Sequence, residues 1–242
     1  MNLHFIHGFL GLPDDWQQFE DKFLPNSCIF HSIDNFLPNL QYQDNYFKIW
    51  AKNFNAFIFE GDNFKNKKNI LIGYSLGGRL ALHSLLEKNY WDGIVIISAN
   101  PGLTNEEENR LRIRNDENWA SKFLNEPWDS VISAWNSQGV FSGQKNSLNR
   151  QEDKYNKNNL ARMLTEFSLG RQENLRTLIS SINIPAIWIA GEQDSKFASI
   201  ASEIPSLNKN IKSVIVEQAG HRVPWENPEI FISICKNFIA TV

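Results

Sequence analysis

The segment that most restricts the fold of this chain is residues 69–82, which read Asn-Ile-Leu-Ile-Gly-Tyr-Ser-Leu-Gly-Gly-Arg-Leu-Ala-Leu. A short apolar run leads directly into Gly-x-Ser-x-Gly and then into a segment that is rich in leucine and alanine. A continuous apolar run of this length is typical of a parallel strand that is covered on both faces. We therefore predict a buried strand, a sharp turn that carries Ser75, and a helix that begins at the turn.

The same alternation of short apolar runs and longer amphipathic segments extends along much of the chain. It is typical of β-α units that are arranged around a parallel sheet. The predicted strands are residues 3–7, 28–33, 69–74, 93–98, 186–190 and 212–217, and the predicted helices are residues 15–23, 44–57, 78–87 and 228–240. The predicted fold class is therefore α/β, with a mostly parallel sheet flanked by helices.

Residues 101–181 interrupt this alternation, because no convincing strand pattern occurs there. Helical patterns occur instead at residues 105–125, 127–138, 159–169 and 173–180. We predict an all-helical cap, or lid, over residues 101–181, inserted after the strand that ends near Ser98, with residues 1–100 and 182–242 as the core. Ligands of open α/β sheets bind outside the carboxyl ends of the strands, so a cap at this place would cover the site.

Composition excludes several other classes of protein. The chain has 242 residues with 24 basic and 27 acidic side chains, and this mildly acidic balance lacks the basic field of a nucleic-acid-binding protein. No stretch approaches the length of a membrane span, and the N-terminus lacks the pattern of a signal peptide. Cys28 and Cys235 lie far apart in the sequence, without the spacing of a metal site, and are predicted to be reduced and buried. We expect a cytoplasmic protein without a metal, a membrane span or a nucleic-acid partner.

A serine at such a turn needs an imidazole to act as nucleophile or base. His221 lies just past the last predicted strand, where a loop can direct it toward Ser75. The other histidines have positions that are more typical of structural residues: His4, His7, His31 and His83. Of these, His7 precedes a glycine and is predicted to shape the turn after the first strand.

A carboxylate is required to fix the tautomer of the imidazole. Asp194 follows the strand at residues 186–190 through a short turn, and Glu192 in the same turn is the rival acid. The chain order Ser75, Asp194, His221 is the order found in α/β hydrolases.

An oxyanion in this site needs donors, and we expect them to be the backbone N–H groups of Leu76 and Phe9. Arg79 lies one helical turn after Ser75, near the positive end of the helix dipole. A cation there needs a negative partner. The sequence leaves open whether that partner is a carboxylate of the protein or an anionic ligand.

Several motifs in matching order, beyond the Ser, Asp and His motifs, resemble one family. They are residues 73–79 (GYSLGGR), 98–103 (SANPGL), 112–120 with Arg112, Asp116 and Trp119, 135–141, 167–175, and 191–197 (GEQDSKF). The family is the 2-succinyl-6-hydroxy-2,4-cyclohexadiene-1-carboxylate synthases of menaquinone biosynthesis, which have the α/β-hydrolase fold.

This resemblance implies a lyase that eliminates pyruvate from an enolpyruvyl-cyclohexene substrate without metal or organic cofactor. It implies that Ser75, activated by His221 and Asp194, removes a ring proton. It also implies a small polycarboxylate substrate, held by residues that match family positions: Arg79, Arg112, Tyr74, Trp135 and, as the nearest match to a further cap arginine, Lys154. Two other functions stay open at this point, a hydrolase of an ester or C–C bond with the same triad, and a small-molecule receptor or inactive scaffold on this fold.

Overall fold

The computed structural model of the chain describes residues 1–38, 45–60, 66–87, 90–141 and 148–242. Within these residues the strands are β1 (Asn2–Ile6), β2 (Ser27–His31), β3 (Asn69–Tyr74), β4 (Gly93–Ile97), β5 (Ala186–Gly191) and β6 (Ile211–Val216). They form one sheet in the order β2-β1-β3-β4-β5-β6, and every neighbouring pair is parallel. The α/β class is therefore confirmed, and each predicted strand overlaps an observed one.

The α-helices among the described residues are α1 (Tyr46–Phe59), α2 (Leu76–Glu87), α3 (Glu106–Asn125), α4 (Trp128–Asn136), α5 (Lys157–Glu166), α6 (Arg176–Ile179), α7 (Ser195–Leu207), α8 (Val223–Glu226) and α9 (Pro228–Ile239). Shorter 3-10 segments are Ile33–Phe36, Gly139–Phe141, Glu152–Lys154 and Leu169–Arg171. The predicted helix at residues 15–23 is instead a 3-10 helix over Pro13–Phe23. The predicted start of the next helix, Asp44, lies outside the described residues; α1 is capped by Asn45, whose side chain accepts a hydrogen bond from the backbone N–H of Lys48.

Helices cover both faces of the sheet. Successive residues of each buried strand point to opposite sides, so each strand packs against helices on both. In β3, Ile70 and Ile72 pack in one hydrophobic cluster with side chains of Pro13–Phe23 and α9. Leu71, between them, belongs to a second cluster, with side chains of α1, α2 and α7. This two-sided burial explains why the strands are apolar throughout rather than alternating.

The described residues between 101 and 181 form helices and 3-10 turns and contain no strand. They have a hydrophobic cluster of their own, formed mainly by Trp119, Phe123, Trp128, Leu160 and Leu164. The predicted boundaries of the cap, residues 101 and 181, stay a prediction.

Two polar contacts tie this helical segment to the loop and 3-10 helix after β1. Arg150 donates two hydrogen bonds to the carboxylate of Asp15, at 2.8 and 2.9 Å. The hydroxyl of Tyr155 donates to the backbone carbonyl of Leu10 at 3.0 Å. The helical segment is thereby held over the edge of the sheet at which β1 and β3 end.

Both cysteines are free thiols. Cys235 is buried, as predicted, whereas Cys28 is only partly buried at the outer strand β2. No helix within the described ranges is long and apolar enough to cross a membrane.

Candidate active site

The turn between β3 and α2 places Ser75 in the left-handed region of backbone conformation, with φ of +53°. Its N–H donates to the carbonyl of Ile97 at 2.8 Å, which fixes the turn against β4. Glycine is required on either side because the backbone approaches so closely. A Cβ at Gly77 would lie 2.4 Å from the carbonyl oxygen of His7, and one at Gly73 would lie 2.5 Å from that of Gly77. This strained strand-turn-helix geometry is the one that the Gly-x-Ser-x-Gly spacing predicts.

Ser75, His221 and Asp194 form a continuous chain of hydrogen bonds. Nε2 of His221 lies 3.1 Å from Oγ of Ser75, and Nδ1 lies 2.6 Å from Oδ2 of Asp194. The carboxylate accepts from Nδ1–H, so the free Nε2 accepts from the serine hydroxyl. His221 and Asp194 are each 4% exposed, which shields both hydrogen bonds from water.

The loops after β5 and β6 come close enough to join the acid and the imidazole. A Cβ at Gly191 would lie 2.1 Å from the carbonyl oxygen of Gly220, so glycine permits this approach. Glu192, the rival acid, is exposed, and its carboxylate accepts from the backbone N–H of Gln218 at 3.2 Å. The structure therefore brings Asp194, and not Glu192, to the imidazole.

The remaining histidines are buried and lie outside this chain of hydrogen bonds. Nδ1 of His7 lies 2.8 Å from the carbonyl of Gly8, and its Nε2 accepts from the N–H of Ile33, so this ring shapes the turn after β1, as predicted. His83 stacks on Phe47, with 4.6 Å between ring centroids. Burial lowers the pKa of His7 to about 4 and that of His83 to about 3, so both rings are neutral at pH 7.

Two cavities meet at Ser75. The larger extends between α2 and the helical segment, and the smaller extends toward Tyr74 and Trp225. The side chains that line both are Phe9, Ser75, Trp135, Phe141 and His221. A ligand over Ser75 can therefore extend in two directions.

Arg79 is a wall of the larger cavity and is 7% exposed. Its Nε donates to Oε1 of Gln172 at 2.6 Å and its Nη2 to the carbonyl of Phe167 at 2.7 Å. Among the described residues no carboxylate lies within 4.0 Å of the guanidinium. Burial, and then the charge of Arg112, lower the pKa of Arg79 to about 9, so the group is still charged at pH 7.

Arg112 lies on α3 at the same cavity, with its side chain 36% exposed. Its Nε donates to both carboxylate oxygens of Asp116, at 2.8 and 2.9 Å. The two arginines predicted to hold a substrate thus differ, since Asp116 forms an ion pair with Arg112, whereas its charge acts on Arg79 only from beyond 4.0 Å. Lys196 also lines the cavity. It lies within the motif at residues 191–197 around Asp194, from which it could have been predicted.

The other predicted residues have distinct positions. Trp135 lies between the two cavities and packs on Phe9, with 4.7 Å between ring centroids. Tyr74 lines only the smaller cavity, where burial raises its pKa and its ring packs against His221. Phe9 and Leu76, whose N–H groups are the predicted oxyanion donors, both line the cavity that contains Ser75.

The structure does not bring Lys154 to the site. Its side chain is exposed on the 3-10 turn Glu152–Lys154, and it lines neither cavity. Arg150 of the same segment lines the smaller cavity instead, because its guanidinium turns inward to Asp15. Arg222, the residue after His221, also lines that cavity and was not predicted.

Within the part of the chain that the structure describes, no three His, Cys, Asp or Glu side chains are grouped as metal ligands would be. The polar groups at Ser75 are instead an alcohol, an imidazole, a carboxylate and guanidinium groups. Such a set suits proton transfer or acyl transfer on an anionic substrate.

Comparisons with known proteins identify the family of the chain. Residues 5–234 match the Alpha/beta hydrolase family. The 2-succinyl-6-hydroxy-2,4-cyclohexadiene-1-carboxylate synthase of Citrobacter koseri is 30% identical over 231 residues, which are 93% of this chain and 88% of that protein. The enzyme of the same name from Klebsiella pneumoniae is 29% identical over 247 residues, or 99% and 94% of the two chains.

A solved structure, that of MenH from S. aureus, matches with a TM-score of 0.86 and 23% identity, covering 100% of this chain and 94% of the other. At this identity the match supports the fold alone, whereas the relative from Citrobacter koseri, at 30% identity, shows the family. The chain therefore belongs to the α/β hydrolase family and, within it, to the 2-succinyl-6-hydroxy-2,4-cyclohexadiene-1-carboxylate synthases.

Proposed function

We propose that this protein eliminates pyruvate from 2-succinyl-5-enolpyruvyl-6-hydroxy-3-cyclohexene-1-carboxylate to give 2-succinyl-6-hydroxy-2,4-cyclohexadiene-1-carboxylate, with Ser75 as the base. The observation that carries the proposal is the buried guanidinium of Arg79 in the cavity of Ser75. A buried charge without a carboxylate in direct contact is costly, and a substrate carboxylate would supply that contact. A simple esterase needs no such cation.

The substrate itself explains why a serine can act as a base here. The hydrogen on ring carbon C2 is acidic because it is adjacent to the ketone of the succinyl arm and to the C3–C4 double bond. Ser75 Oγ removes this proton and passes its own proton to Nε2 of His221. The electron pair forms the C2–C3 double bond, the former C3–C4 pair forms C4–C5, and the C5–oxygen bond breaks. The released enolate of pyruvate takes up a proton at carbon and becomes pyruvate.

The backbone donors and Asp194 stabilise the charges that develop in this step. The N–H groups of Phe9 and Leu76 donate to the enolate oxygen of the succinyl ketone, as in an oxyanion hole. Asp194 holds the imidazole of His221 in the tautomer that accepts the serine proton and stabilises the imidazolium that forms. No metal is needed for this chemistry. The absence of a cofactor and the cytoplasmic location stay predictions.

The substrate carries three carboxylates, and the side chains of the larger cavity suit two of them. Arg79 and Arg112 approach from α2 and α3, and arginine is well suited to carboxylates because its planar fork donates two parallel hydrogen bonds. Trp135 supplies an apolar wall for the ring. Lys154 has no part in this proposal.

The test is to offer the purified protein the enolpyruvyl substrate and, separately, a panel of p-nitrophenyl esters. We expect release of pyruvate together with the absorbance of the conjugated diene, and no nitrophenol beyond that given by S75A. Nitrophenol release without pyruvate would assign the protein to the hydrolases, for which the same triad would act as nucleophile and base.

A further inference from the structure

The smaller cavity beside Ser75 has a charge of its own that the elimination step, as derived above, does not use. Arg150 and Arg222 both line it. The charge of Arg150 is balanced by its two hydrogen bonds to Asp15. The charge of Arg222, in contrast, has no carboxylate in contact among the described residues.

Arg222 is buried, with 7% of its surface exposed. Its Nη2 donates to Oδ1 of Asn136 at 2.6 Å, and the guanidinium lies 3.8 Å from the centroid of the Phe141 ring. Its Nη1 has no hydrogen-bond partner in the described part of the chain, and no carboxylate there lies within 4.0 Å of the group. The carboxylate of Glu226 accepts from the N–H of Gly220, at 2.5 Å, and its charge acts on Arg222 only from beyond ion-pair distance.

These contacts hold the guanidinium in place but leave its Nη1 without an acceptor and its charge without a carboxylate in contact. Phe141 and Asn136 restrict its orientation, and neither carries a negative charge. A buried donor without an acceptor, on a group that carries a full positive charge, is destabilising. Because Arg222 lines the smaller cavity, an anion there would balance its charge.

The shape of the substrate indicates which anion this is, an argument that rests on the proposed function. The succinyl arm at C2 and the enolpyruvyl arm at C5 leave the ring from opposite carbons. A ring with C2 over Ser75 therefore directs its two arms in opposite directions, and the two cavities extend in two directions from Ser75. The larger cavity, with Arg79 and Arg112, suits the longer succinyl arm and the ring carboxylate.

We infer that the smaller cavity receives the enolpyruvyl arm and that Arg222 binds the carboxylate of this leaving group. Arg222 is then a further substrate-binding residue, next in sequence to the imidazole that accepts the proton. It restricts the reaction to leaving groups that carry a carboxylate. Pyruvate, once formed, occupies the same place until it dissociates, so product inhibition by pyruvate depends on Arg222.

The experiment compares the wild type with R222Q, which keeps a polar side chain but removes the charge. The matched control is R114Q, at an exposed arginine of α3 that lines neither cavity at Ser75. Two inhibitors distinguish the cavities. Pyruvate probes the smaller one, and 2-(3-carboxypropanoyl)benzoate, which has the ring carboxylate and the succinyl arm without the enolpyruvyl arm, probes the larger one.

We expect R222Q to raise KM for the substrate and the inhibition constant of pyruvate by about 30-fold or more, the loss typical when one partner of a buried charge pair is removed. Inhibition by the benzoate compound should stay within about two-fold of the wild type, as should all constants of R114Q. Unchanged pyruvate inhibition in R222Q, or an equal loss for both inhibitors, would overturn the assignment.

Two additions keep the test decisive. If R222Q does not fold, R222K keeps the charge but loses the planar fork of two parallel donors. R222K should weaken pyruvate inhibition more than inhibition by the benzoate compound, and equal values for both would overturn the inference.

If the wild type releases no pyruvate from the substrate, the proposed function fails. In that case calorimetric titration of pyruvate into S75A and into the S75A/R222Q double variant still tests Arg222, because binding is measured without turnover.

Discussion

Oδ2 of Asp194 lies 2.6 Å from Nδ1 of His221, and both side chains are almost completely buried. The acid comes from the loop after β5 and the imidazole from the loop after β6, so the contact depends on the close approach of these two loops at Gly191 and Gly220. Because the carboxylate can only accept, it determines that the proton of the neutral ring resides on Nδ1 and leaves Nε2 free for Ser75.

We expect D194N to lower kcat/KM by about 10³- to 10⁴-fold, because an amide in this place can donate to Nδ1 and thus favour the wrong tautomer. The matched control is E192Q in the same turn, whose carboxylate contacts the backbone of Gln218 and not the imidazole. Pyruvate release by the two variants gives the comparison, with melting temperatures to show that both are folded. Equal activity of D194N and E192Q would remove Asp194 from the mechanism.

We expect R79Q to lower kcat/KM by at least about 30-fold, because a desolvated substrate carboxylate loses its partner. This corresponds to a loss of about 2–5 kcal/mol of transition-state stabilisation. The control is R171Q, at an exposed arginine that pairs with Glu117. Steady-state kinetics with the enolpyruvyl substrate measure both. An unchanged kcat/KM in R79Q would show that the guanidinium supports only the carbonyl of Phe167 and the side chain of Gln172.

The sheet and the turn at Ser75 could be predicted because local sequence determines them. Continuous apolar runs such as Ile70-Leu71-Ile72 suit only strands covered on both faces, and the glycines at 73 and 77 are needed wherever backbone atoms approach so closely. The pattern over residues 15–23 predicts a helix, yet such a pattern does not distinguish an α-helix from the 3-10 helix that forms there.

The direction of side chains in the helical segment could not be predicted in the same way. Lys154 and Arg150 lie four residues apart in one charged stretch, and only the fold shows that Arg150 turns inward to Asp15, which is 135 residues away. The partners of Arg79 are likewise distant, since Phe167 and Gln172 lie 88 and 93 residues further along the chain. Contacts of this kind depend on tertiary packing, for which the chain has no local pattern.

We expect D15A to destabilise the fold by about 3–5 kcal/mol, because it leaves the buried guanidinium of Arg150 without its carboxylate. Urea unfolding at pH 7 measures the change, and D14A, at the exposed neighbouring residue, is the matched control. The double variant D15L/R150M removes both charges and should recover part of the loss. A D15A protein as stable as D14A would show that the pair contributes nothing to holding the helical segment on the sheet.

The buried imidazole of His83 should make the stability of the protein depend on pH. Burial, and then the charge of Arg79, lower its pKa from an ordinary value of 6.5 to about 3. Below pH 6.5 the unfolded chain binds a proton that the folded protein excludes, so the free energy of unfolding is fully retained above that pH and falls as the pH is lowered toward 3. One such group contributes a slope of at most about 1.4 kcal/mol per pH unit.

We therefore expect H83L to flatten the dependence of the free energy of unfolding on pH between about 5.5 and 4.5 by up to this amount. S84A, at the neighbouring buried position, should shift the whole curve without changing its slope. Parallel curves for H83L and the wild type would mean that His83 takes up its proton in the folded state as readily as in the unfolded chain.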